Sequence, residues 1–189
     1  MRLPLARETA AGLAAGDTVY LSGIIYTARD AAHRRIAELI QQGSGLPFPL
    51  KEACIYYAGP APAPPGKIIG SAGPTTSGRM DLWTPALLRQ GLVAMIGKGG
   101  RSAAVIEAIR ETGAVYFGAI GGAGALLASC VKESEVIAFA DLGPEAVRKL
   151  RVEAFPVTVL VDSRGTNLYE TGPAAYLAFR AARQGGETQ

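Results

Sequence analysis

Gly73-Pro74-Thr75-Thr76-Ser77-Gly78-Arg79-Met80-Asp81, a short way downstream of the apolar pair Ile68-Ile69, sets hydroxyls and a guanidinium between glycines. Pro74 fixes φ and lacks an N–H, while Gly73 and Gly78 admit backbone conformations that a Cβ disfavours. The stretch therefore reads as a loop leaving a strand, able to turn the hydroxyls and amides of Thr75, Thr76 and Ser77 toward one bound group. Arg79 adds a planar fork suited to a carboxylate. A solvated turn whose hydroxyls cap a helix starting near Asp81 would use the same residue types, and on these positions alone the two readings stand level.

Upstream, Thr18-Val19-Tyr20-Leu21-Ser22-Gly23-Ile24-Ile25 has the β-branched and aromatic enrichment of a strand, closing at Tyr26-Thr27-Ala28-Arg29. Asp30 is expected to cap a helix running to about Gln42, with Ala32, Ile36, Leu39 and Ile40 on one face and Gly43 as the stop. Arg29 then stands at a strand-to-helix junction, where α/β sheets meet their ligands and a helix N-terminus favours anions. His33, the single histidine, lies one turn into that helix, either as a packed or solvated helix residue or as a functional one.

Downstream, Leu92-Val93-Ala94-Met95-Ile96 reads as a strand entering Gly97-Lys98-Gly99-Gly100-Arg101-Ser102, a second junction with Ser102 as the expected cap of the helix 103–112. The phosphate-loop pattern fails because Gly99 follows Lys98 where Ser or Thr is required. A lysine among glycines ahead of a helix still suits a carboxylate. A third glycine-rich turn follows the strand Val115-Tyr116-Phe117, spanning Gly118 to Gly124, and it misses the dinucleotide pattern despite Asp141 downstream. Arg29, Arg79 and Lys98 are thus cations at sheet-edge junctions, and three such charges suit a dicarboxylate.

The remaining chain frames these junctions. Residues 1–16 read as a polar, Ala-rich lead-in, 53–59 as a buried strand, and Pro60 to Pro65 as a stiff surface connection. A helix is expected over 82–90, with strands at 135–139 and 156–162, and 150–154 is ambiguous. Asp162 to Asn167 resembles a hairpin turn returning through Leu168-Tyr169. At 189 residues, 49% hydrophobic and 19% charged, the sequence suits one globular α/β unit over 1–189, with a mobile polar tail at 184–189. A net charge of +3 without a Lys/Arg tract speaks against nucleic acid as a partner. The N-terminus lacks a signal core, and no run is long and charge-free enough for a bilayer, so a cytoplasmic location is expected. Cys54 and Cys130 form no metal-site spacing and read as buried free thiols.

GPTTSGRMD at 73–81, preceded by GIIYTARDAAHRR at 23–35 and followed by GKGG at 97–100, resembles the β-type subunit or C-terminal domain of the iron–sulfur hydro-lyases. These are class I fumarate hydratase and its relative L-tartrate dehydratase, and the resemblance covers nearly the whole chain. It implies a swivelling domain of layered β, β and α with a mixed sheet. The implied activity is reversible hydration of fumarate to (S)-malate in a hetero-oligomer. In the resembled enzymes a 4Fe–4S cluster is held by cysteines of an α-type partner, not by the chain of this type. The same resemblance implies substrate binding by Arg29, Thr75, Thr76, Ser77, Gly78, Arg79 and Lys98, with Thr75 as the proposed base and His33 as a further active-site residue. The tail Gly78-Arg79-Met80-Asp81 is closer to fumarase than to tartrate dehydratase. A non-catalytic anion-binding module on the same scaffold is the remaining alternative.

Overall fold

The computed structural model describes residues 1–185. Its mixed sheet has six strands: β1 (Thr18–Thr27), β2 (Cys54–Tyr56), β3 (Ala94–Gly97), β4 (Val115–Gly118), β5 (Val131–Ala138) and β6 (Val147–Val161). The first four are parallel neighbours in chain order, and β6 runs antiparallel to β4, β1 and β5. Because β6 pairs with β1 along 148–158 and with β4 at 158–161, the order β1-β2-β3-β4-β6 returns to β1 and the sheet curls shut. β5 then extends only the first half of β6.

The closure explains the burial pattern. Short parallel strands covered on both faces have no polar face to show, so β2 and β3 are apolar and buried at every position. Alternate residues nevertheless divide between two apolar clusters. Cys54, Tyr56, Ala94, Ile96, Val115 and Phe117 point inward with Leu21, Leu150, Phe155 and Val159. Ile55, Tyr57, Met95 and Tyr116 point outward against the helices α2 (Asp30–Gln41), α3 (Thr84–Arg89) and α4 (Ala103–Thr112). Two β walls around one apolar filling, with helices packed on the outside, is the layered mixed arrangement that the resemblance implied.

Several sequence expectations are corrected. A five-residue helix, α1 (Arg7–Ala11), interrupts the lead-in. The ambiguous 150–154 lies inside β6, where Ala154 has φ +50° beside a register shift opposite Leu21/Gly23. Pro156 sits where β6 has β1 on one side and neither β5 nor β4 on the other, so its missing N–H is tolerated. The expected hairpin at 162–169 is a single bridge, Val161 to Asn167, after which the chain turns helical as α6 (Leu168–Gly185). Asn167 causes the switch: its Oδ1 accepts the Tyr169 N–H at 3.1 Å and its Nδ2 donates to Glu170 at 2.9 Å, a reciprocal helix start. The expected tail at 184–189 begins as the end of α6, and 186–189 lie outside the described residues. Cys54 is buried, but Cys130 is only partly so, standing between α5 (Gly124–Ser129) and β5. No helix among the described residues is long and apolar enough to cross a membrane.

Candidate functional site

The C-terminal ends of β1, β2, β3 and β4 lie side by side, so the loops that follow them share one edge. β2 delivers Tyr57, whose carbonyl accepts the Thr75 N–H at 2.6 Å. The Thr75 carbonyl in turn accepts the Lys98 N–H at 3.3 Å, and the Ser77 N–H donates to the Lys98 carbonyl at 2.9 Å. Residues 75–77 thereby add a short parallel bridge, Thr76 to Lys98, beyond the end of β3. Only a glycine at 97 permits this approach, since a Cβ there would overlap Ser77 Oγ and press on the Tyr57 ring.

A 3₁₀ turn, Ser77–Met80, then lifts Arg79 toward the start of α2. Arg79 Nε donates to Asp30 Oδ1 at 2.7 Å, while the side chain remains 51% exposed. Arg29 holds the N-cap position of α2, so Asp30 does not cap the helix; it is the first helical residue and uses its carboxylate on Arg79 instead. Arg29 lies 3.7 Å from Asp30 and 3.5 Å from Glu145, whose other oxygen accepts the Ala31 N–H. Arg29 also lies against Gly59, where a Cβ would come within 2.8 Å of its Nη1. Lys98 is exposed and makes no ion pair among the described residues. The three expected cations are therefore gathered on one edge, yet Asp30 and Glu145 offset two of their charges.

Other expected residues are placed unequally. Thr76 and Gly78 are exposed, Thr75 is partly buried, and Ser77 is buried with its Oγ 2.8 Å from the Tyr116 hydroxyl. Tyr116 also donates to the Gly99 carbonyl at 2.8 Å, so Ser77 is tied to the scaffold and does not face the open edge. His33 is completely buried, edge-on to Tyr57 at 5.2 Å, with Nδ1 3.1 Å from the Arg29 carbonyl. Burial lowers its pKa to about 4, which keeps it neutral at pH 7 and makes Nδ1–H the donor to that carbonyl. Its Nε2 has no hydrogen-bond partner among the described residues. His33 thus lies under the edge and not on it.

Arg101 was passed over in the sequence, where one basic residue after a glycine run looks like surface. Its side chain is fully buried: Nε donates to Asp81 at 2.7 Å, Nη2 to Thr84 at 2.9 Å and Nη1 to Tyr57 at 3.4 Å, and the guanidinium lies over the Tyr57 and Tyr116 rings. The second Asp81 oxygen accepts the Ser102 N–H at 2.6 Å, and Ser102, though at the cap position of α4, makes no side-chain cap bond. Asp81 and Arg101 so join the loop carrying Arg79 to the loop carrying Lys98. Tyr169 of α6 was also missed; its hydroxyl accepts the Gly99 N–H at 3.2 Å, one residue along from Lys98.

A hollow of about 450 Å³ lies elsewhere, between the Pro-rich connection, α5 and β5, lined by Lys67, Ile68, Ser71, Ser129 and Lys132. The cation edge is open, flanked in sequence by exposed Leu82 and Ile120. No group of three or more His, Cys, Asp or Glu side chains that could hold a metal is found among the described residues. Cys54 belongs to the inward apolar cluster and Cys130 lies next to α5, so this chain's cysteines do not fit an iron–sulfur cluster.

The structure is a curled mixed α/β sheet that presents guanidinium, ammonium, hydroxyl and amide groups at its strand ends. Residues 1–172 match the family model of the fumarase C-terminus, and the chain belongs to that family. It is 42% identical over 172 residues to the aerobic class I fumarate hydratase of Salmonella typhimurium, covering 88% of this chain and 30% of that protein. It is 44% identical over 152 residues to the anaerobic class I fumarate hydratase of Escherichia coli, covering 79% of this chain and 28% of that one. Identity is also 42% over 172 residues to a putative L(+)-tartrate dehydratase subunit beta of Methanocaldococcus jannaschii, where 88% of each chain is covered. The chain thus spans about 30% of the length of the fumarate hydratases that it matches and nearly all of the β subunit.

Proposed function

We propose that this chain is the carboxylate-binding half of a hydro-lyase that hydrates fumarate reversibly to (S)-malate, working in the cytoplasm with an α-type partner. The observation that carries the proposal is the bridge from Thr76 to Lys98, which sets the Thr75–Arg79 loop against the lysine on the edge shared with Arg29. Charge-assisted hydrogen bonds contribute roughly 1.5–3 kcal/mol each, so three cations less the two neighbouring carboxylates still leave a net attraction for a small dianion. The exposure of the edge suits a site that a second domain completes, and fumarate hydratases more than three times the matched length accord with that. A 4Fe–4S cluster, if held by the partner, would supply the Lewis acid for the hydroxyl.

This chain's own groups bind, orient and move a proton. Arg79 offers its Nη groups to one carboxylate, with Lys98 and the amides of Thr76 and Gly78 beside it. Thr75 is the proton-transfer residue, its N–H and carbonyl both fixed to the scaffold and its hydroxyl free of partners among the described residues. An alcohol is far too weak an acid to ionise at pH 7, so Thr75 acts only where neighbouring cations stabilise the alkoxide or where it relays the proton. His33, neutral and buried, supports the Arg29 carbonyl from beneath. The β subunit relative favours tartrate as the second reading of the same edge.

Arg79→Lys tests the proposal, because it keeps the charge and removes the fork. In the assembled complex kcat/KM for fumarate and malate should fall about a hundredfold, roughly 2.7 kcal/mol, with folding and assembly intact. Near-wild-type kcat/KM would remove this residue from the site.

A further inference from the structure

Asp30 stands between the two arginines proposed to meet the substrate. Its Oδ1 takes the Nε–H of Arg79 at 2.7 Å and its Oδ2 lies 3.7 Å from Arg29 Nη2. That second oxygen is buried and makes no hydrogen bond among the described residues, and Arg29 Nε is likewise buried and without a partner among them. The side chain of Asp30 is 27% exposed against 51% for Arg79, so the carboxylate forms the floor of the edge and the guanidinium its outer face. A guanidinium can meet a carboxylate through Nε and one Nη or through both Nη groups. Asp30 occupies the first of these edges. Only the second, the two Nη groups without a partner among the described residues, is left for a ligand.

We propose that Asp30 is a positioning residue that fixes the orientation of Arg79 and so sets which dicarboxylate geometry the edge accepts. The inference rests on the dicarboxylate reading and deepens it. A negative charge beside two cations weakens attraction for any dianion, so its presence works against affinity. What it supplies is direction: with Nε engaged, Arg79 cannot rotate to meet a carboxylate from the side, and the distance and angle to a second carboxylate at Lys98 are fixed. Removing the charge should therefore separate affinity from selectivity, an outcome that a residue holding only the fold would not give.

The experiment is calorimetric titration of the chain, assembled with its partner, with fumarate and with its cis isomer maleate, in wild type, Asp30→Asn and Asp30→Glu. Wild type is expected to favour fumarate. Asp30→Asn should bind both dianions at least as tightly as wild type while the fumarate-to-maleate ratio collapses tenfold or more, and Asp30→Glu should restore part of the ratio. Loss of affinity for both dianions, or an unchanged ratio in a folded Asp30→Asn, would overturn the proposal. The ratio needs no turnover. A collapsed ratio in a complex that does not hydrate fumarate would keep Asp30 and remove the hydro-lyase reading, whereas hydration with an unchanged ratio would do the reverse.

Discussion

At the residue scale the site rests on groups whose surroundings decide their chemistry. His33 is the clearest: burial holds its folded pKa at about 4 against an ordinary 6.5, so between these values the unfolded chain binds the extra proton. Stability therefore falls as pH drops from about 6.5 to about 4, by roughly 1.4 kcal/mol per pH unit within that window. Urea unfolding across the window should show this slope in wild type and lose it in a folded His33→Gln, and an equal slope in both would exclude His33 as its source. The two thiols differ in the same way. Cys54 is enclosed and its pKa pushed far up by burial, so it should resist alkylation in the native state. Cys130, partly exposed, should react first, and faster labelling of Cys54 would contradict the inward placement of β2. Arg29 and Lys98 were legible as candidates because each follows a strand, at a cap position or among glycines, and Thr75 and Arg79 because hydroxyls and a guanidinium stand between glycines; the strand expected at Ile68-Ile69 is not formed, and that loop leaves from β2 instead. The sequence hid Arg101, since only tertiary packing converts a surface-type residue into a buried one.

At the scale of elements, the two site loops are held by small numbers of directed contacts. Arg101 and Asp81 form a buried pair, and removing one member of such a pair costs about 3–5 kcal/mol by leaving the other uncompensated. Arg101→Ala should lower the thermal midpoint accordingly, and an unchanged midpoint would mean that the loops stand without it. Gly97→Ala should act more locally, forcing Ser77 away from β3 with loss of dicarboxylate binding. Element boundaries were legible where periodicity and glycines agreed, as in α4, expected and found at 103–112. They failed at 162–169, where turn residues Asp162, Gly165 and Asn167 pointed to a hairpin and the pairing of Asn167 with Glu170 started a helix. Asn followed three residues later by Glu is a helix-start pattern, and here it prevails over the turn residues.

At the scale of the whole molecule, local patterns supplied most strands but could not show that β6 pairs with both β1 and β4, because closure depends on partners about 130 and 40 residues away in the chain. That closure lines up the strand ends and makes one edge of residues separated by up to 69 positions, Arg29 to Lys98. The edge remains open in this chain, and its cysteines do not fit a cluster, so the account requires a second chain or domain for turnover. The most direct measurement is fumarate hydration, followed by loss of its ultraviolet absorbance, for this chain alone and for the chain assembled anaerobically with an α-type partner after iron–sulfur reconstitution. The account predicts no turnover from the chain alone and malate formation by the complex; turnover by the isolated chain, or a cluster-loaded complex that leaves fumarate untouched, would contradict it.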